Sequence, residues 1–192
     1  MIDKKLFTKL RKDYQNYDIG RRIVIKNSND ILKLSKQTIF ALHRGNNKEA
    51  ENLLSSAEKS LKYLNTKMKK NKGLEFEGSY LAGIEEFVEA SLFYQFIKTG
   101  KVTSIKGFNI GTNSYLGGLS DLTGELVRRA VFLATRRRYK DVETCHKMIE
   151  FVVGELIKFN LIGHLRTKFD QSKNNLRKIE EIMYDLELKR KK

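Results

Sequence analysis

The sequence predicts an all-α fold, a helical bundle of about six or seven long helices forming one domain over residues 1–192. Three observations carry that expectation. The chain contains no proline, and helix interiors exclude proline while loops and edge strands usually admit some. Apolar residues recur at helical spacing through most of its length. The glycines fall near the ends of those periodic stretches, as at Gly45, Gly73, Gly100 and Gly163, and so act as punctuation. With 192 residues, 40% of them apolar and 10% aromatic, the chain is large enough to bury a core.

The elements follow in order. The spacing predicts a first helix from about Asp3 to Lys26, with "NSND" (Asn27 to Asp30) as a cap or soft spot. A second, Asp30 to Arg44, puts Ile31, Leu34, Thr38 and Leu42 on one stripe and stops at the "RGNN" turn. A third, Lys48 to Lys69, repeats Ala50, Leu53/Leu54, Ala57, Leu61 and Leu64 at heptad-like intervals. A fourth, Glu77 to Thr99, closes at Gly100, and "KVTSIKGFNIGTN" is a connector. The fifth spans Ser114 to Arg138, the sixth Lys140 to Phe159, and the last Thr167 to Arg190. No repeat or low-complexity linker divides them, and long helices with short loops make a bundle.

Lys and Arg number 38 against 23 Asp and Glu, a formal net charge of +15. Such a balance favours polyanionic partners, nucleic acid above all. Arg21, Arg22, Arg128, Arg129 and the run Arg136 to Arg138 lie inside expected structure rather than in tails. Cys145 is the one cysteine, so an intrachain disulfide is excluded and a reducing, cytoplasmic setting is expected. The first residues, "MIDKKLFTKLRKDY", lack the apolar stretch of a secretory signal. Nothing approaches the roughly 18 to 20 uninterrupted apolar residues of a membrane span. A membrane-surface role is disfavoured too, because no segment is expected to pair an exposed apolar stripe with a Lys-rich face.

Two stretches carry chemistry. In "YLAGIEEFVEASLFYQFIKTG" (Tyr80 to Gly100) the helix is apolar nearly all round, with Leu81, Ile84, Val88 and Leu92 on one stripe and Glu86 and Glu89 opposite. An all-round apolar helix is normally buried, and buried glutamates call for a compensating cation, whether arginine or metal. In "YLGGLSDLTGELVRR" (Tyr115 to Arg129), Asp121, Glu125, Arg128 and Phe132 share a stripe, and Leu119, Leu122, Leu126, Ala130 and Leu133 form the core seam. The adjacent Gly117 and Gly118 cost a helix about 1 kcal/mol each relative to alanine. Close approach of another helix or of a ligand would offset that. Asp and Glu at i, i+4 are mildly repulsive as well. Local costs gathered on one face mark candidate functional sites. Carboxylates converging from two helices suit Mg²⁺ or Mn²⁺, able to polarise a phosphoryl oxygen and generate a hydroxide nucleophile, with Arg128 holding phosphate. A plain salt-bridge network remains the alternative.

Other constellations are weaker. His43, His146 and His164 have no zinc-ligand spacing, and there is no G-x-S-x-G elbow, Walker loop or G-x-G-x-x-G. Cys145 is expected to pack. His43 in "FALHRG" reads as a helix-end residue, and its neighbour Arg44 as a candidate phosphate contact. "RRRYK" (Arg136 to Lys140) reads first as a solvated helix end.

Taken together, "LSKQTIFALHRG", "GIEEFVEASLFYQFIKTG", "YLGGLSDLTGELVRR" and "KFDQSKNNLRKIEEIMYDLELK" resemble the translin family, within it the translin-associated factor X branch. The third stretch, Y-L-x-G-x-x-D-L-T-G-E-L-x-R, is the most specific. The resemblance implies an all-α fold of about seven helices assembled into hollow octamers. Translin binds single-stranded DNA and RNA without cutting, whereas factor X subunits carry a Mg²⁺-dependent endoribonuclease inside the shell. The factor X acidic set, E-x-x-E on one helix and D-x-x-x-E on the next, matches Glu86, Glu89, Asp121 and Glu125. The resemblance therefore implies a nuclease rather than an inert binder. It also places Arg128 at a position implicated in RNA contact and Lys36 in the family's basic "SK" stretch. The short chain and the short 100–113 connector resemble an archaeal form that makes a homo-oligomer.

Overall fold

The structure, a computed structural model, describes residues 3–68 and 73–190. It is all-α, with helices α1 (Lys4–His43), α2 (Asn47–Met68), α3 (Gly78–Thr99), α4 (Thr112–Thr135), α5 (Tyr139–Leu156) and α6 (Gly163–Arg190), plus a short 3₁₀ turn at Leu74–Phe76. Among the described residues there is no strand. None of the helices is long and apolar enough to cross a membrane. The end expected for the third helix at Lys69 lies outside the described residues.

The expected break at "NSND" is absent, and the first two expected helices are one rod. Asn and Ser compete locally with the helical backbone, but here tertiary packing overrides them. Asn27 Nδ2 donates to the Ile23 carbonyl at 2.8 Å, and Ser28 and Ile31 are buried. Ser28 meets α3 at Gly83, where a Cβ would fall 2.9 Å from the Ser28 carbonyl oxygen. Two small residues thus let the rods cross closely.

α3 is the central helix. Ile84, Phe87, Val88, Ala90, Leu92 and Phe93 are buried around its circumference, and it packs on α1 and α4. Leu81, expected on the buried stripe, is instead 38% exposed near the helix start. α2 covers α1 through Ala50, Leu54, Ala57, Leu61 and Leu64, as its spacing predicts. The connector 100–111 is not idle, since Phe108 packs edge-on against Phe87 at 5.3 Å. α4 stops at Thr135, short of the expected Arg138. Arg137 adopts φ 58°, and the amides of Arg136 and Arg138 both return to the Leu133 carbonyl. A left-handed arginine in a turn carries no sequence signal comparable to glycine.

The first half of α1 departs from the sequence expectation in a second way. Leu6, Phe7, Leu10 and Tyr14 are all exposed, on a segment that also carries Lys4, Lys5, Lys9 and Lys12. An exposed apolar stripe with a Lys-rich face therefore exists.

Candidate functional site

The glycine doublet determines how α3 and α4 meet. A Cβ on Gly117 would lie 2.8 Å from Glu85 Cδ. One on Gly118 would lie 2.6 Å from the Glu85 carbonyl oxygen and 2.7 Å from the Val88 side chain. Close approach of a helix, rather than of a ligand, is what these residues accommodate.

That approach brings Glu86 and Glu89 of α3 within electrostatic reach of Asp121 and Glu125 of α4. Glu89 is 8% exposed. Burial first, then the charges of Glu86, Asp121 and Glu125, push its carboxyl up to about 9. Glu86 is raised by burial and by Asp121 and Glu125, against the opposing charge of Lys36. Among the described residues the Glu89 carboxyl makes no hydrogen bond and no ion pair.

The other acids have partners. Lys36 Nζ of α1 stands 3.9 Å from Glu86 Oε2. His43 Nε2, at the end of α1, contacts Glu125 Oε2 directly, and Arg128 Nη1 lies 3.5 Å from the same oxygen. Burial raises Glu125, but the His43 hydrogen bond, its charge and Arg128 outweigh that and leave it lowered. Lys168 of α6 donates to Asp121 Oδ2 and sits 3.2 Å from Glu85 Oε2. Burial opposes its charge, yet these two carboxylates hold the ammonium above its ordinary range. His164 Nε2 approaches Glu85 at 3.4 Å. α6 is moored beside α4 by Asn175 Nδ2 donating to Thr123 Oγ1 at 2.9 Å and by Ser172 Oγ donating to the Ser120 carbonyl at 3.2 Å.

The site thus unites Glu86, Glu89, Asp121, Glu125, Lys36 and Arg128 from the sequence reading. It adds Glu85, Lys168 and His164, and gives His43 a role beyond its helix end. Glu85 was findable, because in "IEEFVE" it sits one helical turn before Glu89. Lys168 was not, lying 47 residues from Asp121. The remaining basic residues stand elsewhere. Arg21 forks onto Glu77 at 2.9 and 3.1 Å, and Arg22 pairs with Asp18 at 2.9 Å. Both lie roughly 20 Å along α1 from Lys36 at 1.5 Å per residue. Arg44 is exposed over the Phe40 ring. Arg129 stacks over Phe132 at 5.3 Å, and its charge partly opposes the burial that pushes the Cys145 thiol up to about 12.

The donors fit a hard divalent ion in kind: they are carboxylate oxygens, one of them buried and unpartnered. They are not drawn into a chelate, since among the described residues no three His, Cys, Asp or Glu side chains form a metal-holding group. Lys168 on Asp121 and His43 on Glu125 occupy the oxygens that a chelate would need.

Known proteins share this architecture. The model of the Translin family matches residues 20–190. Translin-associated protein X homolog of Schizosaccharomyces pombe is 28% identical over 186 residues, which cover 85% of this chain and 79% of that protein. Translin-associated protein X of Rattus norvegicus is 26% identical, covering 86% and 72%. An uncharacterized protein of Methanocaldococcus jannaschii is 29% identical, covering 85% and 74%. The crystal structure of apo-NeC3PO aligns with a TM-score of 0.85 at 23% identity, over 96% of this chain and 97% of that one. The structure of AfC3PO in complex with duplex RNA aligns at 0.88 and 21% identity, over the same shares.

Proposed function

The chain belongs to the translin family, and on that premise we propose that it is a Mg²⁺-dependent endoribonuclease acting on single-stranded RNA in the cytoplasm. The working unit is a hollow homo-oligomer, an octamer or part of one, built from one translin-like domain per chain. The observation that carries this reading is the set Glu86, Glu89, Asp121 and Glu125, in which Asp121 and Glu125 of α4 push up the carboxyls of Glu86 and Glu89 across the α3–α4 contact, with Glu89 buried and without an ion-pair partner. RNA as the ligand class is supported by the +15 charge and by the RNA held by AfC3PO. Assembly is supported by the exposed apolar stripe of α1, a surface suited to a second copy.

In this reading Glu86, Glu89, Asp121 and Glu125 would hold Mg²⁺ or Mn²⁺. When bound, the ion supplies Lewis-acid polarisation of a phosphoryl oxygen. Glu89, which burial holds above the ordinary carboxylate range, would release its proton to solvent as the ion binds. Asp121 would exchange its contact with Lys168 for the ion, and Asp121 or Glu125 would position the attacking water while His43 Nε2 steadies Glu125. Lys36 and Arg128, both exposed beside the acids, take the phosphates.

A second reading is a binding protein without catalysis, gripping single-stranded DNA or RNA. It is favoured by the cations that already sit on Glu86, Asp121 and Glu125, which are Lys36, Lys168 and Arg128 in turn. Asp121→Asn separates the two. The nuclease reading expects unchanged RNA binding and loss of cleavage in Mg²⁺ or Mn²⁺. Equal cleavage by the variant would remove these roles, and salt-sensitive binding with no cleavage by the parent protein would leave only the second reading.

A further inference from the structure

A cavity of ≈ 190 Å³ lies where the C-terminal turn of α3 meets α4 and α5, lined by Gly100, Arg129, Arg138, Asp141, Thr144 and Cys145 among others. It is separate from the carboxylate set, which none of these residues joins. Arg129 is what distinguishes it. Of the arginines with described burial, only Arg21 and Arg129 are not fully exposed. Arg21 has a carboxylate fork from Glu77, whereas Arg129 takes no hydrogen bond or ion pair among the described residues.

The surrounding charges do not cancel this guanidinium. Asp141 lines the same cavity, but its Oδ2 accepts from Arg138 Nε at 2.6 Å. The Cys145 thiol is neutral, its ionisation suppressed by burial. Arg136 adds a further cation, 4.2 Å from the Phe132 ring that Arg129 also faces. Glu125, one turn back along α4, is engaged by His43 and Arg128. A partly buried cation without an acceptor carries a desolvation cost that an entering anion relieves. By the same measure of volume a single water needs only about 10–15 Å³, so the space admits an oxyanion with its hydration.

We propose that this cavity is a phosphate-binding subsite in which Arg129, with Arg138 beside it, receives a phosphate group of the nucleic acid. The inference rests on the nucleic-acid reading above and extends it. Arg129 follows Glu125 by four residues, about one helical turn of α4. A phosphate held here would therefore lie about one turn of α4 from Glu125 of the acidic set.

The test titrates inorganic phosphate into the full chain by calorimetry, comparing the parent with Arg129→Met and Arg129→Lys. Phosphate binding is expected to weaken about tenfold or more in Arg129→Met, the scale of a missing charge-assisted hydrogen bond. It should weaken by less in Arg129→Lys, which keeps the charge and guards against misfolding. A second arm measures binding of 5′-phosphorylated and 5′-hydroxyl oligoribonucleotides. A preference for the phosphorylated strand that vanishes in Arg129→Met assigns the subsite to a terminal phosphate, and equal weakening of both assigns it to the backbone. Phosphate binding that is absent from the parent, or unchanged in both variants, overturns the subsite even where oligonucleotide binding persists. Arg129-dependent phosphate binding without any oligonucleotide binding would retain the subsite and remove the nucleic-acid reading.

Discussion

Lys168 of α6 and Asp121 of α4 form a direct ion pair in the interior of the acidic site, with side-chain exposures of 12% and 28%. The ammonium also reaches Glu85 of α3, so one lysine ties three helices at the place where acids accumulate. Removing one partner of a largely buried pair leaves the others unpaired, and the cost is larger than the pair's own net contribution. Lys168→Met is expected to lower stability by about 1–3 kcal/mol without divalent ions, allowing for partial exposure. Mn²⁺ should then raise the melting temperature more in the variant than in the parent, because Asp121 no longer has an internal counter-ion. Thermal unfolding with EDTA and with Mn²⁺ measures both, and an equal Mn²⁺ response would show that Lys168 does not compete for these oxygens.

Glu89 makes metal-free stability pH-dependent in a defined direction. Its folded pKa, about 9, is raised above the ordinary value of 4.5. Below 4.5 both folded and unfolded states carry the proton and the group contributes nothing. Between 4.5 and 9 the folded state alone keeps it, so stability falls as pH rises through that window. Glu89→Gln removes the dependence. The variant is expected to match the parent near pH 4.5 and to exceed it increasingly as pH rises, by several kcal/mol and at most about 5 kcal/mol near pH 8, measured by urea unfolding in EDTA.

The glycine doublet gives a packing prediction with an internal control. Gly118→Ala places a methyl against the α3 backbone at Glu85 and against Val88, and such overpacking costs about 1–3 kcal/mol despite alanine's better helix propensity. Gly124→Ala, whose Cβ would meet only Asn175 Nδ2 at 3.6 Å, should gain about 0.5–1 kcal/mol. Denaturant midpoints decide it, and equal effects at the two positions would contradict the close α3–α4 approach.

Nucleic-acid binding should also sort the basic residues. Every side chain that ceases to neutralise a phosphate of a single strand reduces the slope of log affinity against log salt by about 0.7. Lys36→Met and Arg128→Met, beside the acids, are expected to show that reduction. Arg22→Met, paired with Asp18 and far along α1, is expected to leave the slope unchanged. Fluorescence-anisotropy titrations with an oligoribonucleotide at several salt concentrations make the comparison.

The helical class, the core stripes of α2 and α4 and the two acidic pairs were legible because each is a periodicity internal to one segment. Glu86 and Glu89 announce themselves within one turn, and so do Asp121 and Glu125. The glycine doublet announced a close approach without naming its partner. The single rod of α1, the turn at Arg137 and the pairing of Lys168 and His43 with acids far along the chain were decided by packing. Side-chain spacing along a helix fixes which residues share a face, but which face meets which cation follows only when helices remote in sequence dock. The separation of 82 residues between His43 and Glu125 is closed by that docking alone.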